Sequence, residues 1–378
     1  MRFQAIDLYS GAGGASIGLQ RADGIEVIAA VDIDESACKS YDENLRLTPL
    51  QADLRKIQLS DVCNNFDITK NDIDVVVGCP PCQNFSTLRR TAPWPEGEPK
   101  DELLHAFMNR ILEASPSVVL FENVPGILDT DGGQYVEWFK SMMRKAGYGV
   151  TLDIINAADY GVPQRRKRTI GICVKGIAHN EVTLPPPTHS ETPEEHDRDV
   201  EPWVTVRDEI VDLPSLEAGE KADDIDGHRA RNHQSQTIEL MKAVPIDGGS
   251  RSDLPEELEL ECHKRLENGG AGNVYGRMIW DEPAPTLTTR CTSPSCGRFV
   301  HPEQHRSITP REAARLMSFP DSFSLPSKNS DAERIVGNAV PPRLMTAIIE
   351  GVLQNLEALN YDWDANHHER NTTPEVSG

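Results

Sequence analysis

The first 175 residues predict an α/β fold with a doubly wound, mostly parallel sheet, and two observations carry this prediction. Short apolar runs such as Ile73–Gly78 alternate with segments of helical spacing, and glycine or acidic residues follow several of these runs. Strands that alternate with helices of this length indicate βαβ units. Near Lys175 the pattern changes, because Pro, Gly, Glu and Asp become frequent and clear periods are lost. The sequence therefore predicts a second, smaller and irregular domain.

Each predicted element has its own pattern. Apolar and β-branched runs predict strands at Phe3–Tyr9, Glu26–Val31, Ile73–Gly78, Val118–Glu122, Val150–Ile155 and Thr169–Val174. Apolar residues three and four apart predict helices at Ala15–Ala22, Glu35–Leu45, Asp101–Ala114, Tyr135–Ala146, Thr309–Ser318 and Arg343–Glu357. Thr309 followed by Pro310 suits the start of a helix. We expect a first domain at 1–180, completed by about 325–357, a second at 181–324 with its adjoining helix, and a flexible tail at 358–378.

Composition limits the class of protein. The chain has 378 residues, no apolar stretch near the ~18 residues that a membrane helix needs, and no signal-peptide core at its start. We therefore expect a cytoplasmic protein without a membrane partner, whose eight cysteines are thiols. The net charge of −22, from 60 acidic and 38 basic residues, taken alone argues against a nucleic-acid partner. With 12 Lys against 26 Arg, a surface adapted to concentrated salt is one hypothesis, and an ordinary acidic protein is the other.

A glycine-rich turn follows the first predicted strand. The run Asp7-Leu8-Tyr9-Ser10-Gly11-Ala12-Gly13-Gly14 would let a ligand approach the backbone closely, although a plain tight turn is the alternative. Its spacing is not the dinucleotide fingerprint, since Ser16 replaces the third glycine. Asp32 ends the second strand, where an acid can accept hydrogen bonds from ribose hydroxyls, and Asp53 falls near the end of a third. These residues indicate an adenosine-containing cofactor without a pyrophosphate.

The segment Gly78-Cys79-Pro80-Pro81-Cys82-Gln83 places a cysteine in a rigid turn after a strand. It is open to four interpretations: half a zinc site, a redox dithiol, two structural cysteines, or a single nucleophile at Cys82. The next strand ends in Glu122-Asn123, which places a carboxyl group at the same sheet edge. A nucleophile that attacks a heterocycle needs such an acid, whereas a dithiol does not. The basic run 164–168, Gln-Arg-Arg-Lys-Arg, reads as an anion or base clamp, with a solvated face as the alternative.

In this order the motifs resemble those of cytosine-C5 DNA methyltransferases, from residue 5 to about residue 350. The resemblance extends to Arg311-Glu312, to the Thr286-Leu287 pair and to Gly337-Asn338-Ala339-Val340. Two departures are small, because Tyr9 stands where the family more often has Phe and Ile33 where it often has an aromatic. The resemblance implies a Rossmann-like S-adenosylmethionine-dependent catalytic domain and, at 181–324, a target recognition domain. No metal is implied.

The resemblance also assigns site residues. It implies catalytic roles for Cys82, Glu122, Arg166, Arg168, Asn123, Pro81 and Gln83. It implies that S-adenosylmethionine contacts Asp7, Tyr9, Ser10, Gly11, Gly13, Gly14, Asp32, Ile33, Asp53, Leu54, Pro80, Asn338 and Ala339. Together with the arginines of the recognition region, it gives candidate DNA contacts at Arg89, Arg90, Gln164, Arg165, Arg277, Thr286, Arg290 and Arg298.

The implied reaction is methylation of cytosine at C5 in a specific duplex sequence. Cys82 would add to C6 of a base flipped out of the duplex, Glu122 would act at N3, and Arg166 and Arg168 would contact the base and orient Glu122. The expected partners are double-stranded DNA and a cognate restriction endonuclease that acts separately, with the enzyme itself a monomer. An RNA substrate, or a catalytically idle nucleic-acid-binding or redox protein on the same fold, remains the alternative.

Overall fold

The computed structural model describes residues 2–81, 102–196, 198–258 and 273–363. The chain divides into two compact units, the first drawn from 1–156, 167–186 and 342–378, and the second from 157–166 and 187–341. These limits differ from the predicted ones in several respects. The short range 157–166 belongs to the second unit, and the predicted range 325–357 is divided at residue 342. In the described part of the chain, no helix has both the length and the apolar character to cross a membrane.

The described residues form eleven strands and ten α-helices. The strands are β1 Phe3–Leu8, β2 Ile25–Asp32, β3 Leu50–Gln51, β4 Val75–Gly78, β5 Val118–Asn123, β6 Tyr148–Asn156, β7 Gln164–Arg165, β8 Lys167–Lys175, β9 His189–Ser190, β10 Glu201–Pro202 and β11 Ala284–Pro285. The helices are α1 Gly14–Arg21, α2 Glu35–Asn44, α3 Leu59–Phe66, α4 Glu102–Ala114, α5 Gln134–Lys145, α6 Val206–Ile210, α7 Ser235–Ala243, α8 Pro310–Leu316, α9 Asn329–Asn338 and α10 Pro342–Ala358.

Seven strands build the sheet of the first unit in the order β3-β2-β1-β4-β5-β8-β6. The first five are parallel, and β8 runs antiparallel to both β5 and β6. The prediction of a mostly parallel, doubly wound sheet is therefore confirmed. Because the strand order reverses between β1 and β4, a crevice is expected outside the carboxyl ends of these two strands, where open α/β sheets bind their ligands.

The apolar pattern of the central strands explains their position. Every residue of β4 and β5 is buried, as expected for strands that are covered on both faces. Two glycines allow helices to approach closely. A side chain at Gly78 would overlap the ring of Phe107 on α4, and one at Gly18 would overlap the backbone carbonyl of Pro342 on α10. These close approaches hold α4 and α10 in fixed positions within the first unit.

The second unit has little regular structure among its described residues. Its strands are two residues long, with β7 paired to β11 and β9 paired to β10. Thr309 caps α8 through a capping box with Glu312, so the predicted helix start is confirmed. Arg306 and Glu312 form a fully buried ion pair at 2.7 Å. Burial alone would raise the pKa of Glu312, but the charge and hydrogen bonds of Arg306 lower it to about 2.

Candidate active site

The turn after β1 forms one wall of the candidate site. Tyr9, Gly11 and Gly13 all have positive φ values, of 65°, 54° and 91°. A side chain at Gly13 would overlap Leu45 and Tyr41 behind the turn, whereas a side chain at Gly11 would meet no described atom within 4 Å. Only glycine is unstrained in this region of backbone space, so the two glycines serve different needs. Gly13 allows close packing behind the turn, and Gly11 leaves open space in front of it.

Asp32, at the end of β2, lies directly beside this turn. One of its carboxylate oxygens accepts a hydrogen bond from the Gly11 amide at 2.7 Å, and the other accepts one from the Asp34 amide at 2.8 Å. Burial raises the pKa of Asp32. The next residue, Ile33, leaves 59% of its surface exposed although its side chain is apolar. A fixed carboxylate beside an exposed aliphatic surface fits a ribose and the base attached to it.

Asp7 is fully buried, which argues against the predicted direct contact with the cofactor. It has no exposed surface, and it accepts a 2.6 Å hydrogen bond from the Ser16 hydroxyl. Ser16 in turn accepts a 2.8 Å hydrogen bond from Tyr41. Burial raises the pKa of Asp7 to about 7. The hydrogen-bonded series Asp7–Ser16–Tyr41 therefore links β1, α1 and α2 behind the glycine turn. The only sign of this series in the sequence is the position of Ser16 in the turn motif.

Asp53 and Leu54 follow β3, as predicted, but Asp53 carries a partner that the sequence analysis missed. Arg55 binds the carboxylate of Asp53 through its backbone amide and its guanidinium, with contacts of 2.9 to 3.2 Å. These bonds lower the pKa of Asp53, so this carboxylate remains ionised and fixed. Leu54 is buried. Spacing alone gives little sign of such a pair, since an acid two residues before an arginine is common.

Glu122 occupies the end of β5 and is 8% exposed. Its carboxylate lies 2.9 Å from Nε of Arg168, and the two side chains are 10% and 12% exposed. The antiparallel register sets this distance, because Glu122 pairs with Ile170 and Arg168 lies two residues before Ile170 on the same face of β8. A nearly buried pair has a fixed geometry, unlike an ion pair on the surface. The expectation that Arg168 orients Glu122 agrees with this contact.

Asn123 holds the turn that leads to Cys82. Its side-chain amide donates to the Pro80 carbonyl at 3.2 Å, and its own carbonyl oxygen accepts from the Val124 amide at 2.9 Å. Pro80 is buried and Pro81 is exposed. Burial, with a further contribution from Glu122, raises the pKa of the Cys79 thiol well above its ordinary value, so Cys79 is a poor nucleophile. Cys82, Gln83, Arg89 and Arg90 lie outside the described residues.

Arg166 is buried among backbone carbonyl groups of the second unit. It is 2% exposed and donates to the backbone carbonyls of Leu287, Gly337 and Ala339 at 3.0 to 3.3 Å. These bonds explain its burial, and a contact between Arg166 and the target base stays a prediction. Gln164 has no exposed surface, and its side chain is bonded to the backbone of Leu287 and Leu316. The full burial of Gln164 therefore argues against the predicted direct contact with DNA.

Two of the arginines proposed to contact DNA, Arg277 and Arg298, instead support the backbone of the second unit. Arg277 is fully buried, and it donates to the backbone carbonyls of Met241, Val244, His301 and Gln304. This environment contradicts the predicted DNA contact. Arg298 donates to the carbonyls of Gly248, Gly249 and Arg277 at 2.8 to 3.1 Å, so it too has a structural role. Neither role has a sequence signal, because the acceptors belong to irregular backbone.

The other candidate DNA contacts are more accessible. Arg165 is 41% exposed, lies over the ring of Trp203 and is paired with Glu191 and Glu282. The Thr286 hydroxyl donates to the Arg165 carbonyl at 2.8 Å. Arg290 is exposed. Asn338 is exposed at the end of α9, and Ala339 follows it, both within the second unit, so their predicted cofactor contacts stay predictions.

The strand ends of the first unit thus define a class of protein. A glycine turn with a fixed carboxylate, at the switch point of a doubly wound sheet, lies in the same unit as Glu122, a second carboxylate that the nearly buried Arg168 fixes. This combination indicates a group-transfer enzyme that uses a nucleoside cofactor.

Comparison with known proteins gives the family. The profile of C-5 cytosine-specific DNA methylases matches residues 3–354, and the chain belongs to this family of DNA cytosine-5-methyltransferases. The Type II methylase M.HgiDII of Herpetosiphon aurantiacus is 34% identical over 361 residues, covering 94% of this chain and 96% of that protein. The Type II methyltransferase M1.HphI of Haemophilus parahaemolyticus is also 34% identical, over 94% of this chain and 87% of that protein.

Solved structures agree with the fold. A DNA modification methyltransferase encoded within an E. coli prophage superposes with a TM-score of 0.65 and 26% identity, covering 94% of this chain and 99% of that chain. The Dnmt2 methyltransferase of S. pombe superposes with a TM-score of 0.59 and 18% identity, covering 96% of this chain and all of that chain. The second likeness supports the fold alone.

Proposed function

We propose that this enzyme transfers a methyl group from S-adenosylmethionine to C5 of a cytosine that is flipped out of a specific duplex sequence. The observation that carries the proposal is the Glu122–Arg168 pair beside the Asn123–Pro80 bond. It places a fixed carboxylate next to the turn whose following residue is Cys82. Neither a redox dithiol nor a zinc site needs this arrangement.

The residues of the glycine turn fit the adenosine part of S-adenosylmethionine. Gly11 opens onto free space, Asp32 offers a fixed carboxylate for the ribose, and Ile33 offers an exposed apolar surface to the adenine. Asp53, held by Arg55, is suited to accept a hydrogen bond from the adenine amino group. When bound, S-adenosylmethionine supplies a methyl group on a positively charged sulfur, and C5 of the activated base takes it.

The protein's own residues activate the base. The Cys82 thiolate forms a bond to C6, and the electrons of the C5–C6 double bond move toward C5 and N3. Glu122 hydrogen-bonds or protonates N3 and so offsets the negative charge that addition brings into the ring. Arg168 keeps the Glu122 carboxylate in position. A water molecule then takes the C5 proton, and the electrons of that bond restore the C5–C6 double bond as the Cys82–C6 bond breaks, which returns the cysteine as thiolate and leaves 5-methylcytosine.

The second unit is proposed to read the sequence of the DNA. Among its described residues, Arg290 is exposed, and Arg165 and Thr286 lie together at the β7–β11 pair. A base inside a duplex cannot be reached, so the target must flip out at a cost of a few kcal/mol. We further propose that the enzyme is a cytoplasmic monomer. We also propose that a separate restriction endonuclease accompanies it, since the relatives with 34% identity are Type II enzymes.

Bisulfite sequencing of host DNA, with and without the protein, tests this function. We expect 5-methylcytosine at one short sequence motif when the wild-type protein is present. The Cys82→Ala variant serves as the matched control and should leave the same motif unmethylated. An unmethylated genome in the presence of folded wild-type protein would instead favour an idle nucleic-acid-binding protein.

A further inference from the structure

Tyr9 carries a hydroxyl group that Phe, the commoner residue at this position in the family, lacks. The hydroxyl donates a 2.8 Å hydrogen bond to the backbone carbonyl of Leu103, ninety-four residues away in the chain. Leu103 lies in the first turn of α4. The same tyrosine has a φ of 65° and forms part of the turn that faces the proposed cofactor. One side chain therefore links the cofactor-binding turn to the beginning of α4.

The first turn of α4 matters because of its place in the chain. Residues 82–101 connect Pro81 to Glu102, and this connection contains Cys82. On the Pro81 side, the backbone is held by the Asn123 amide, which donates to the Pro80 carbonyl at 3.2 Å. On the Glu102 side, the backbone is held by the Tyr9 hydroxyl at the Leu103 carbonyl. Side chains therefore hold the backbone on both sides of this connection. Asn123, at the end of β5, holds the Pro81 side, and Tyr9, which follows β1, holds the Glu102 side.

Further contacts support a fixed position for this turn of α4. Arg55, which holds Asp53, lies 3.3 Å from the carboxylate of Glu102, the first residue of the helix. Phe107, one turn after Leu103, packs edge-on to the Tyr9 ring with 6.4 Å between centroids and sits against Gly78, where no side chain would fit. The Arg55–Glu102 contact is partly exposed and weak on its own. The Tyr9 bond is partly buried and lies beside the Phe107 ring.

We infer that Tyr9 is a positioning residue for methyl transfer, whose hydroxyl fixes the C-terminal flank of the Cys82-containing connection relative to the bound cofactor. This inference rests on the proposed function. It assigns the hydroxyl an effect on the chemical step and not on cofactor affinity, because the bond is made to α4 and not to the pocket. The Tyr9→Phe variant removes this one oxygen and keeps the ring.

The test compares Tyr9→Phe with Tyr148→Phe. Tyr148 is also a buried tyrosine whose hydroxyl donates to a backbone carbonyl, that of Pro116 at 2.7 Å, at the other end of the strands. Single-turnover methyl transfer to unmethylated phage DNA, at saturating S-adenosylmethionine, gives the rate of the chemical step. Calorimetry with S-adenosylhomocysteine gives cofactor affinity, and hydrogen exchange of the amides at 102–107 reports the first turns of α4.

For Tyr9→Phe we expect the methyl-transfer rate to fall about three- to tenfold, the factor that corresponds to one neutral hydrogen bond. Cofactor affinity should change less than about twofold on the same scale, and exchange at 102–107 should become faster. Tyr148→Phe should keep the wild-type rate and the wild-type exchange in this helix. An unchanged rate in Tyr9→Phe, or a loss confined to cofactor affinity, would overturn the inference. A wild-type protein without activity on DNA would overturn the proposed function, while the exchange measurement would still test the link to α4.

Discussion

Two arginines of the first unit and two of the second show different uses of the same side chain. In the first unit, Arg168 binds the carboxylate of Glu122 and Arg55 binds that of Asp53, so each fixes an acid at the candidate site. In the second unit, Arg277 and Arg298 bind seven backbone carbonyls between them, four for Arg277 and three for Arg298. These arginines fix acids in the first unit and support irregular backbone in the second, where Arg306 also pairs with the acid Glu312.

The amount of regular structure explains this difference. Strands and helices satisfy their own backbone hydrogen bonds, so side chains at the ends of strands remain available for ligands. Irregular backbone that is buried must find donors elsewhere, because an unpaired buried carbonyl costs free energy. A guanidinium group carries five donors and can satisfy several carbonyls at once. In an irregular unit, a buried arginine is therefore first a candidate for structure, and an exposed one such as Arg290 is the better candidate for DNA.

The largest effect is expected at the sheet edge. Cys82→Ala should abolish methyl transfer and leave cofactor binding intact, because Cys82 is the group proposed to add to C6. Cys79→Ala should keep substantial activity, since its raised pKa leaves it as an unreactive thiol. Methyl-transfer rates and calorimetry with S-adenosylhomocysteine check both variants. An inactive Cys79 variant beside an active Cys82 variant would reverse the assignment.

The next effect separates the two uses of arginine directly. Arg277→Ala should lower the free energy of unfolding by about 3–5 kcal/mol, because it leaves several buried carbonyls without donors. Arg290→Ala, at an exposed position, should change it by less than about 0.5 kcal/mol and weaken DNA binding instead. Denaturant unfolding and a DNA-binding titration give the two quantities. An Arg277→Ala variant that keeps wild-type stability but binds DNA more weakly would contradict the structural role of Arg277.

A smaller effect is expected from the buried acid behind the glycine turn. The pKa of Asp7 is about 7 in the folded protein against 3.8 ordinarily, so the folded state holds the proton more strongly than the unfolded state does. Its contribution to stability is present below about pH 3.8 and is lost as the pH rises to about 7. Relative to wild type, Asp7→Asn should therefore become more stable as pH increases, by up to about 4 kcal/mol. Unfolding curves of both proteins between about pH 5 and pH 8, where most domains are stable, check this prediction. A stability difference that stays constant over this range would show that the pKa of Asp7 is not raised.

The effect at Asp32 is smaller again. Asp32→Ala should weaken S-adenosylmethionine binding by about 1–3 kcal/mol, because the hydrogen bonds to the ribose are charge-assisted. The S-adenosylmethionine affinity of the Asp53→Ala variant, which lacks the carboxylate at the adenine end of the proposed pocket, is measured for comparison. Unchanged affinity in the Asp32 variant would remove this residue from the ribose site.

The least local effect comes from the whole-chain charge of −22. If the acidic surface is adapted to concentrated salt, folding and methyl transfer should persist or improve at molar KCl, where the screening length is about 3 Å. The contacts that survive would be short-range ones around Arg165 and Arg168. A titration of activity against KCl decides this, and peak activity below roughly 0.2 M with unfolding above it would contradict salt adaptation.

The sequence predicts the first unit well because its signals are local. Asp32 and Glu122 were identified from their positions at strand ends, and the parallel register brings such ends to one edge. It predicts the second unit poorly, because Arg277 meets carbonyls 24 to 36 residues away that belong to no repeating pattern. The Tyr9–Leu103 bond is invisible for the same reason, since only the folded sheet brings β1 and α4 together. Helices α3, α6, α7 and α9 have no counterpart among the predicted helices.

The ten residues 157–166 have a practical consequence for engineering. They leave the hairpin of β6 and β8 between Asn156 and Lys167, which are register partners, and they belong to the second unit. Within that unit, β7 pairs with β11. A chimera that exchanges only the continuous stretch 187–341 would therefore separate a two-stranded ladder into halves of different parentage. We expect hybrids with a new sequence specificity to fold only when both pieces are transplanted together, so the interchangeable module of this enzyme is discontinuous along the gene.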